Sequence, residues 1–343
     1  MRKLLNTLFV TTEDSYLALE NENVVVRNND ECRGRFPLVM LESIVSFSYA
    51  GASPALMGAC ADRRIQLSFM TPNGRFLARV AGENNGNVLL RREQYRVADD
   101  IAKACVLARN SIFGKVYNAR WILERMMRDH AMRVDAAALR TASGFLANTL
   151  REIPSVTDLD RLRGLEGEAS QCYFGVFDQL ILNQKDNFVF ERRSRRPPTN
   201  NVNAMLSFVY TLLANDCASA LESVGLDSYV GFMHRDRPGR ASLALDLMEE
   251  LRGVFADRLV VSMINTRAIQ PSHFKREPDG AILMTDEGRK SILAAWQNKK
   301  REQITHPYLK EKLEWGLVPY VQALLLARTL RGDLDEYPPF LWK

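Results

Sequence analysis

The period of the hydrophobic pattern changes once along the chain, from two to 3.6, near Asp99. Side chains alternate faces along a strand and return every three or four residues to one face of a helix. A single switch therefore divides the chain into a β part followed by an α part. Before it, the short apolar runs "YLAL", "NVVVR", "FPLVML", "IVSFSY", "IQLSFM" and "RFLARV" are separated by turn residues. In "FMTPNGRFL", Asn73-Gly74 supplies the positive φ angles of a tight hairpin turn. One helix interrupts the strands, with Ser53 as its N-cap and Pro54 in its first turn.

After the switch, "DDIAKACVLARNSIFGKVYNARWILERMM" keeps helical spacing with few breakers. Further helices are predicted near 135–151, 158–183, 202–223, 242–257, 285–300 and 306–331. A small hairpin is predicted in "HFKREPDGAILM", turning at Pro278-Asp279-Gly280. The pattern predicts an α+β multidomain protein. A small N-terminal β domain spans residues 1–90 and mediates dimerisation; a larger all-α C-terminal domain, 91–343, holds the chemistry. The sequence "GENNGN" ends the β part.

Composition narrows the class. The chain is 46% hydrophobic and 25% charged, as in folded rather than disordered proteins. The formal charge of +5 permits an anionic partner without requiring one. Five scattered cysteines, with no CxxC pair, argue against a disulfide framework or zinc ribbon and for a reducing compartment. The N-terminal apolar stretch is short for a signal segment, and no run of 18 apolar residues is present; the expectation is a cytoplasmic protein with no membrane span.

The chemistry concentrates in two stretches. In "DLDRLRGLEGEASQCYFGVFDQLI", Glu166 falls inside the apolar stripe of Leu162, Leu165, Ala169 and Tyr173, whereas Glu168 points elsewhere. A carboxylate so placed is either paired with an arginine or binds metal. In "GFMHRDRPGRASLALDLMEELR", His234 ends an apolar segment and Ser242 is expected to cap a helix with a core stripe of Leu243, Leu247, Leu251 and Phe255. Asp246 and Glu249 share a face of that helix, and Glu250 borders it. An imidazole and one to three carboxylates make a hard site for Mg²⁺ or Mn²⁺, suited to phosphoryl transfer. Arg192, Arg193, Arg195 and Arg196, followed by two prolines, form a cationic loop. Arg235, Arg237 and Arg240 surround His234 in sequence. Forked guanidinium groups in both places favour a nucleic-acid substrate. Phosphate-binding glycine loops and a nucleophile elbow are absent.

"LRGLEGEASQCYFGVF", "RRPPTNNVNAMLSFVYTLL", the His234 stretch and "HPYLKEKLEWGLVPYVQALLLARTLRG" together resemble the CRISPR adaptation integrase family, Cas-one, most closely its subtype I-C members. The resemblance covers essentially the whole chain. It implies a metal-dependent DNA integrase and endonuclease that acts as a homodimer. That dimer would be joined by a small second adaptation protein, Cas-two, and in some systems a Cas-four nuclease. Its substrates are a short DNA fragment, whose 3′-hydroxyl attacks a phosphodiester, and the CRISPR array. Carried over by motif, the metal ligands are Glu166, His234 and Glu249, with Asp246 the alternative third ligand. Asn203 and Tyr210 match residues lining the family's site. Two rival readings share these residues: a structure-selective nuclease, and a DNA-binding scaffold whose acids only pair with arginines.

Overall fold

The computed structural model describes residues 6–29, 31–82, 88–194 and 197–343. The chain opens with β1 (Thr7–Val10), then a meander of β2 (Tyr16–Glu20), β3 (Asn23–Asn28) and β4 (Glu31–Pro37). β5 (Ser43–Ser46), α1 (Pro54–Asp62), β6 (Gln66–Met70) and β7 (Phe76–Arg79) follow. The meander forms an antiparallel three-stranded sheet. A second sheet has the order β1-β5-β6-β7; its first three strands run parallel and β7 is antiparallel to β6. Parallel neighbours need a crossover, and α1 supplies it between β5 and β6. Ser53 caps α1 as expected, its Oγ accepting from the Leu56 N–H at 3.2 Å.

The expected turn joins β6 to β7, but only Gly74 takes a positive φ, +82°; Asn73 does not. A Cβ at Gly74 would also lie 2.4 Å from Cδ2 of Phe208. Glycine is thus required both for the turn and for the contact that presses the turn onto the helical region. All of β5 is buried: Ile44 joins Leu17, Val24, Leu56 and Leu67 in a β core, while Val45 joins Phe47 and Met70 in the core of the helices.

The helical region begins with α2 (Val88–Asp99), α3 (Ile101–His130), α4 (Ala136–Glu152), α5 (Leu159–Gly175) and α6 (Asn201–Ser223). α7 (Ser242–Leu251) and α8 (Arg258–Asn265) come next, then the hairpin β8 (Phe274–Arg276) and β9 (Ile282–Met284) with Gly280 at φ +84°. α9 (Asp286–Arg301), β10 (Gln303–Thr305), β11 (Lys312–Glu314) and α10 (Val318–Leu330) complete the order. α3, 30 residues long, is the axis against which α4, α5 and α7 pack. Close packing there needs small residues. A Cβ on Gly114 would sit 3.1 Å from Glu250 Cβ, and one on Gly253 would sit 2.9 Å from Ile122 Cδ1. α6 is long and apolar enough to cross a membrane by length and composition, but its most apolar window is 67% buried inside the protein.

Three helical expectations need correction. α5 stops at Gly175 rather than near 183, because Asp178 turns its side chain to the Phe190 N–H (2.9 Å) and Phe177 packs on Phe190. The helix expected over 242–257 is interrupted by a π turn, Arg252–Asp257, and Ser242 is its first residue rather than its cap. Residues 306–314 are not helical, and Trp315–Leu317 form only a 3-10 turn leading into α10. Pro307 and the left-handed Lys310 (φ +59°) break the pattern, β11 pairs with β10, and Pro319 suits only the first turn of α10.

Candidate active site

α5 and α7 both cross α3, and their acids meet over Lys115. Leu162, Leu165 and Ala169 bury one side of α5, which leaves Glu166 at the edge of that stripe, facing α3. Glu166 Oε1 accepts from the Lys115 ammonium and from Ser170 Oγ at 2.8 Å. Glu249 is 4% exposed. Its Oε1 lies 2.9 Å from Arg252 Nη2 and 3.8 Å from His234 Nε2. Its Oε2 lies 2.8 Å from Lys115 Nζ. Burial pushes the Glu249 carboxyl up; Arg252, Lys115 and His234 outweigh burial and bring it down to about 2.

His234 is held by the chain around it. The N–H groups of Phe232, Met233 and His234 converge on the Asp246 carboxylate at 2.6, 3.0 and 3.0 Å. The same carboxylate lies 2.6 Å from His234 Nδ1. An acceptor there keeps a proton on Nδ1 and aims Nε2 at Glu249. The glycine of "GFMH" follows from this packing. A Cβ on Gly231 would stand 2.8 Å from Asp246 Oδ2 and 2.9 Å from Ser242 Cβ. Asp246 therefore orients His234 from behind, while Glu249 reaches the open side.

A family model described as CRISPR associated protein Cas1 matches residues 8–298. The chain belongs to that family. The CRISPR-associated endonuclease Cas1 2 of Rhodospirillum rubrum is 52% identical, with 100% of both chains covered. A solved structure described as "Casposase bound to integration product" superposes with a TM-score of 0.84 at 21% identity, covering 98% of this chain and 94% of that one. A chain of a "Cas6-RT-Cas1–Cas2 complex" superposes at 0.81 and 21% identity, covering 98% of this chain and 36% of that one. At those identities the two structures establish a shared fold.

In this Cas1-family chain Glu166 and His234 line a groove of about 1930 Å³ between the β6–β7 hairpin and the helices, and Glu249 is buried beside it. Arg192, Arg193, Arg237 and Arg240 line it, as do Arg75 and Arg79 from the β part. Arg235 instead pairs with Asp160 at 2.8 Å. Arg195 and Arg196 lie outside the described residues. Asn203 is fully buried and holds the arginine loop: it accepts from Arg193 (2.7 Å) and the Ser194 N–H (3.1 Å) and donates to Arg192 O (2.8 Å). Tyr210 lies between the guanidinium groups of Arg193 and Arg252, 5.3 and 5.2 Å from its ring, and donates to Asp257 at 2.5 Å. Burial pushes Asp257 up to about 6 against the pull of Tyr210, Tyr173, Arg252 and Arg193.

Sequence reasoning missed Lys115, Arg252, Tyr173 and Asp257. Lys115 had a readable signal, since it interrupts the α3 stripe of Ala108, Ile112, Ala119 and Ile122, all buried. Among the described residues, no three His, Cys, Asp or Glu side chains stand close enough to share an ion, because Lys115 stands between Glu166 and Glu249. The donor types nevertheless fit a divalent cation. Two carboxylates and an imidazole nitrogen form a hard set, and the cation that now neutralises both carboxylates, Lys115, marks where a divalent ion would sit.

Proposed function

We propose that this chain is the catalytic subunit of CRISPR adaptation, a DNA integrase and endonuclease dependent on Mg²⁺ or Mn²⁺. The observation that carries the reading is an imidazole and two carboxylates, Glu166, His234 and Glu249, brought together from three segments beside an arginine-lined groove that Glu166 and His234 line. These three residues would hold the ion, which when bound activates an oxygen nucleophile and neutralises charge on the leaving oxygen. Asp246 fixes the His234 tautomer, and Arg252 anchors Glu249. Arg192, Arg193, Arg237 and Arg240 grip phosphates along the groove, and Arg195 and Arg196 would be further phosphate contacts. Arg235, tied to Asp160, steadies the His234 loop. Positioning then selects the nucleophile, because a 3′-hydroxyl held in line has a large effective concentration over bulk water.

Residues 1–90 would form the dimerising domain and 91–343 the catalytic domain. Val39 and Tyr49 are 77% and 69% exposed, and a symmetric contact would cover such apolar groups. Sedimentation as a monomer at micromolar concentration would count against the dimer. Cas-two, and in some systems Cas-four, would complete a cytoplasmic assembly of the subtype I-C kind.

The test of catalysis joins a labelled fragment to a supercoiled array plasmid in Mn²⁺ with the second adaptation protein. Fragments ending in a 3′-hydroxyl should become covalently joined, while 3′-deoxy fragments bind equally and are not joined. Equal nicking with both ends and no joined product makes the protein a nuclease instead. Binding with neither nicking nor joining leaves the scaffold.

A further inference from the structure

Lys115 is a charged residue that stands between two of the proposed ligands, Glu166 and Glu249, and lies outside the family motifs. Its side chain is 15% exposed, and it bridges α3 to α5 and α7 by pairing with Glu166 and, at 2.8 Å, with Glu249. Its pairing is built to be broken. One ammonium serves both carboxylates, bonding Glu166 Oε1 and lying 2.8 Å from Glu249 Oε2, so its removal frees both at once. Both carboxylates keep a second support when the lysine leaves: Arg252 holds Glu249 at 2.9 Å, and Ser170 holds Glu166 at 2.8 Å. Lys115 also lines the groove, so its flexible four-carbon stem has a place to go.

We propose that Lys115 is an internal counterion that a divalent cation displaces. It holds Glu166 and Glu249 side by side until the cation takes them, then swings its ammonium into the groove. The inference rests on the ligand set proposed above. A dication and an ammonium cannot share the same two carboxylate oxygens, because their mutual repulsion at about 4 Å in a half-buried site is severe. Ion binding is therefore a competition that the lysine sets.

The test titrates Mn²⁺ into the full-length protein and follows thermal unfolding in EDTA and in Mn²⁺. Lys115→Met should bind Mn²⁺ at least about tenfold more tightly than the wild type. It should unfold at a lower temperature than the wild type in EDTA, with the gap closing in Mn²⁺. Lys115→Arg, which keeps the charge, should bind no more tightly than the wild type. If Lys115→Met does not fold, Lys115→Gln is read in its place. Unchanged or weaker Mn²⁺ affinity in the folded neutral variant overturns the proposal. Glu166→Gln separates the two readings. If it binds Mn²⁺ like the wild type, or if the wild type binds none, the ligand set fails and the lysine proposal falls with it. If it loses Mn²⁺ while the neutral Lys115 variant is unchanged, only the lysine proposal fails.

Discussion

α7 presents Glu249 to the groove side and Glu250 to the opposite side, and these two chain neighbours are both buried. On the groove side Glu249 meets Lys115, Arg252 and His234, and is held down to about 2. On the far side Glu250 meets only neutral donors: Tyr337 Oη, Gln322 Nε2 at 2.9 Å and the Phe340 N–H at 2.7 Å. Burial there raises its carboxyl to about 7, and the three donors offset only part of the rise. The same residue type at the same depth thus titrates in opposite directions. The charge of the partners decides the sign, not the burial.

The largest way to break this contrast is Glu249→Gln. Loss of an outer partner of a metal ligand already costs about 10–100-fold. If Glu249 is the direct ligand proposed above, its loss should cost fragment joining about 1,000-fold or more, with circular dichroism unchanged. Full joining by the folded variant would remove Glu249 from the chemistry.

The far side should answer differently, in stability rather than rate. Glu250→Ala leaves three buried donors without their acceptor and should cost about 3 kcal/mol in urea unfolding. Glu250→Gln sharpens the point through pH. A carboxyl raised from 4.5 to about 7 adds stability fully present below pH 4.5 and lost as pH rises through about 7. At 1.36 kcal/mol per unit the loss is about 3 kcal/mol. Asp257, raised to about 6, acts in the same direction; Glu249, lowered to about 2, contributes stability that is lost only as pH falls toward 2. Glu250→Gln should therefore flatten the fall between pH 5 and pH 8 without abolishing it, because Asp257 remains. An unflattened slope would show that Glu250 is ionised throughout.

The groove side was more legible in the sequence than the far side. Glu166 stood out as an acid in an apolar stripe, and His234 and Glu249 as parts of motifs. Asp246 was visible as an acid but not as the residue that orients His234, since that role depends on three backbone N–H groups converging on it. Glu250 read as an edge acid because its partners lie 72 to 90 residues onward. The π turn was hidden for another reason: Leu251 and Phe255 keep the 3.6 spacing straight through it, while the hydrogen-bond ladder widens. The two-part order of the fold was legible from the change of period. The placement of β5 between two cores was not, because a run of four buried residues does not say how many partners bury it.

That placement makes the molecule's two parts interdependent. Ile44 and Val45 are consecutive, yet each belongs to a different core. Each fully buried apolar side chain of this kind contributes about 1.5–3 kcal/mol. Separating the helices from the sheet would therefore strip Val45, Phe47 and Met70 together and leave an adhesive sheet face in water. The groove above the acids thus has a wall and a floor that melt as one cooperative unit.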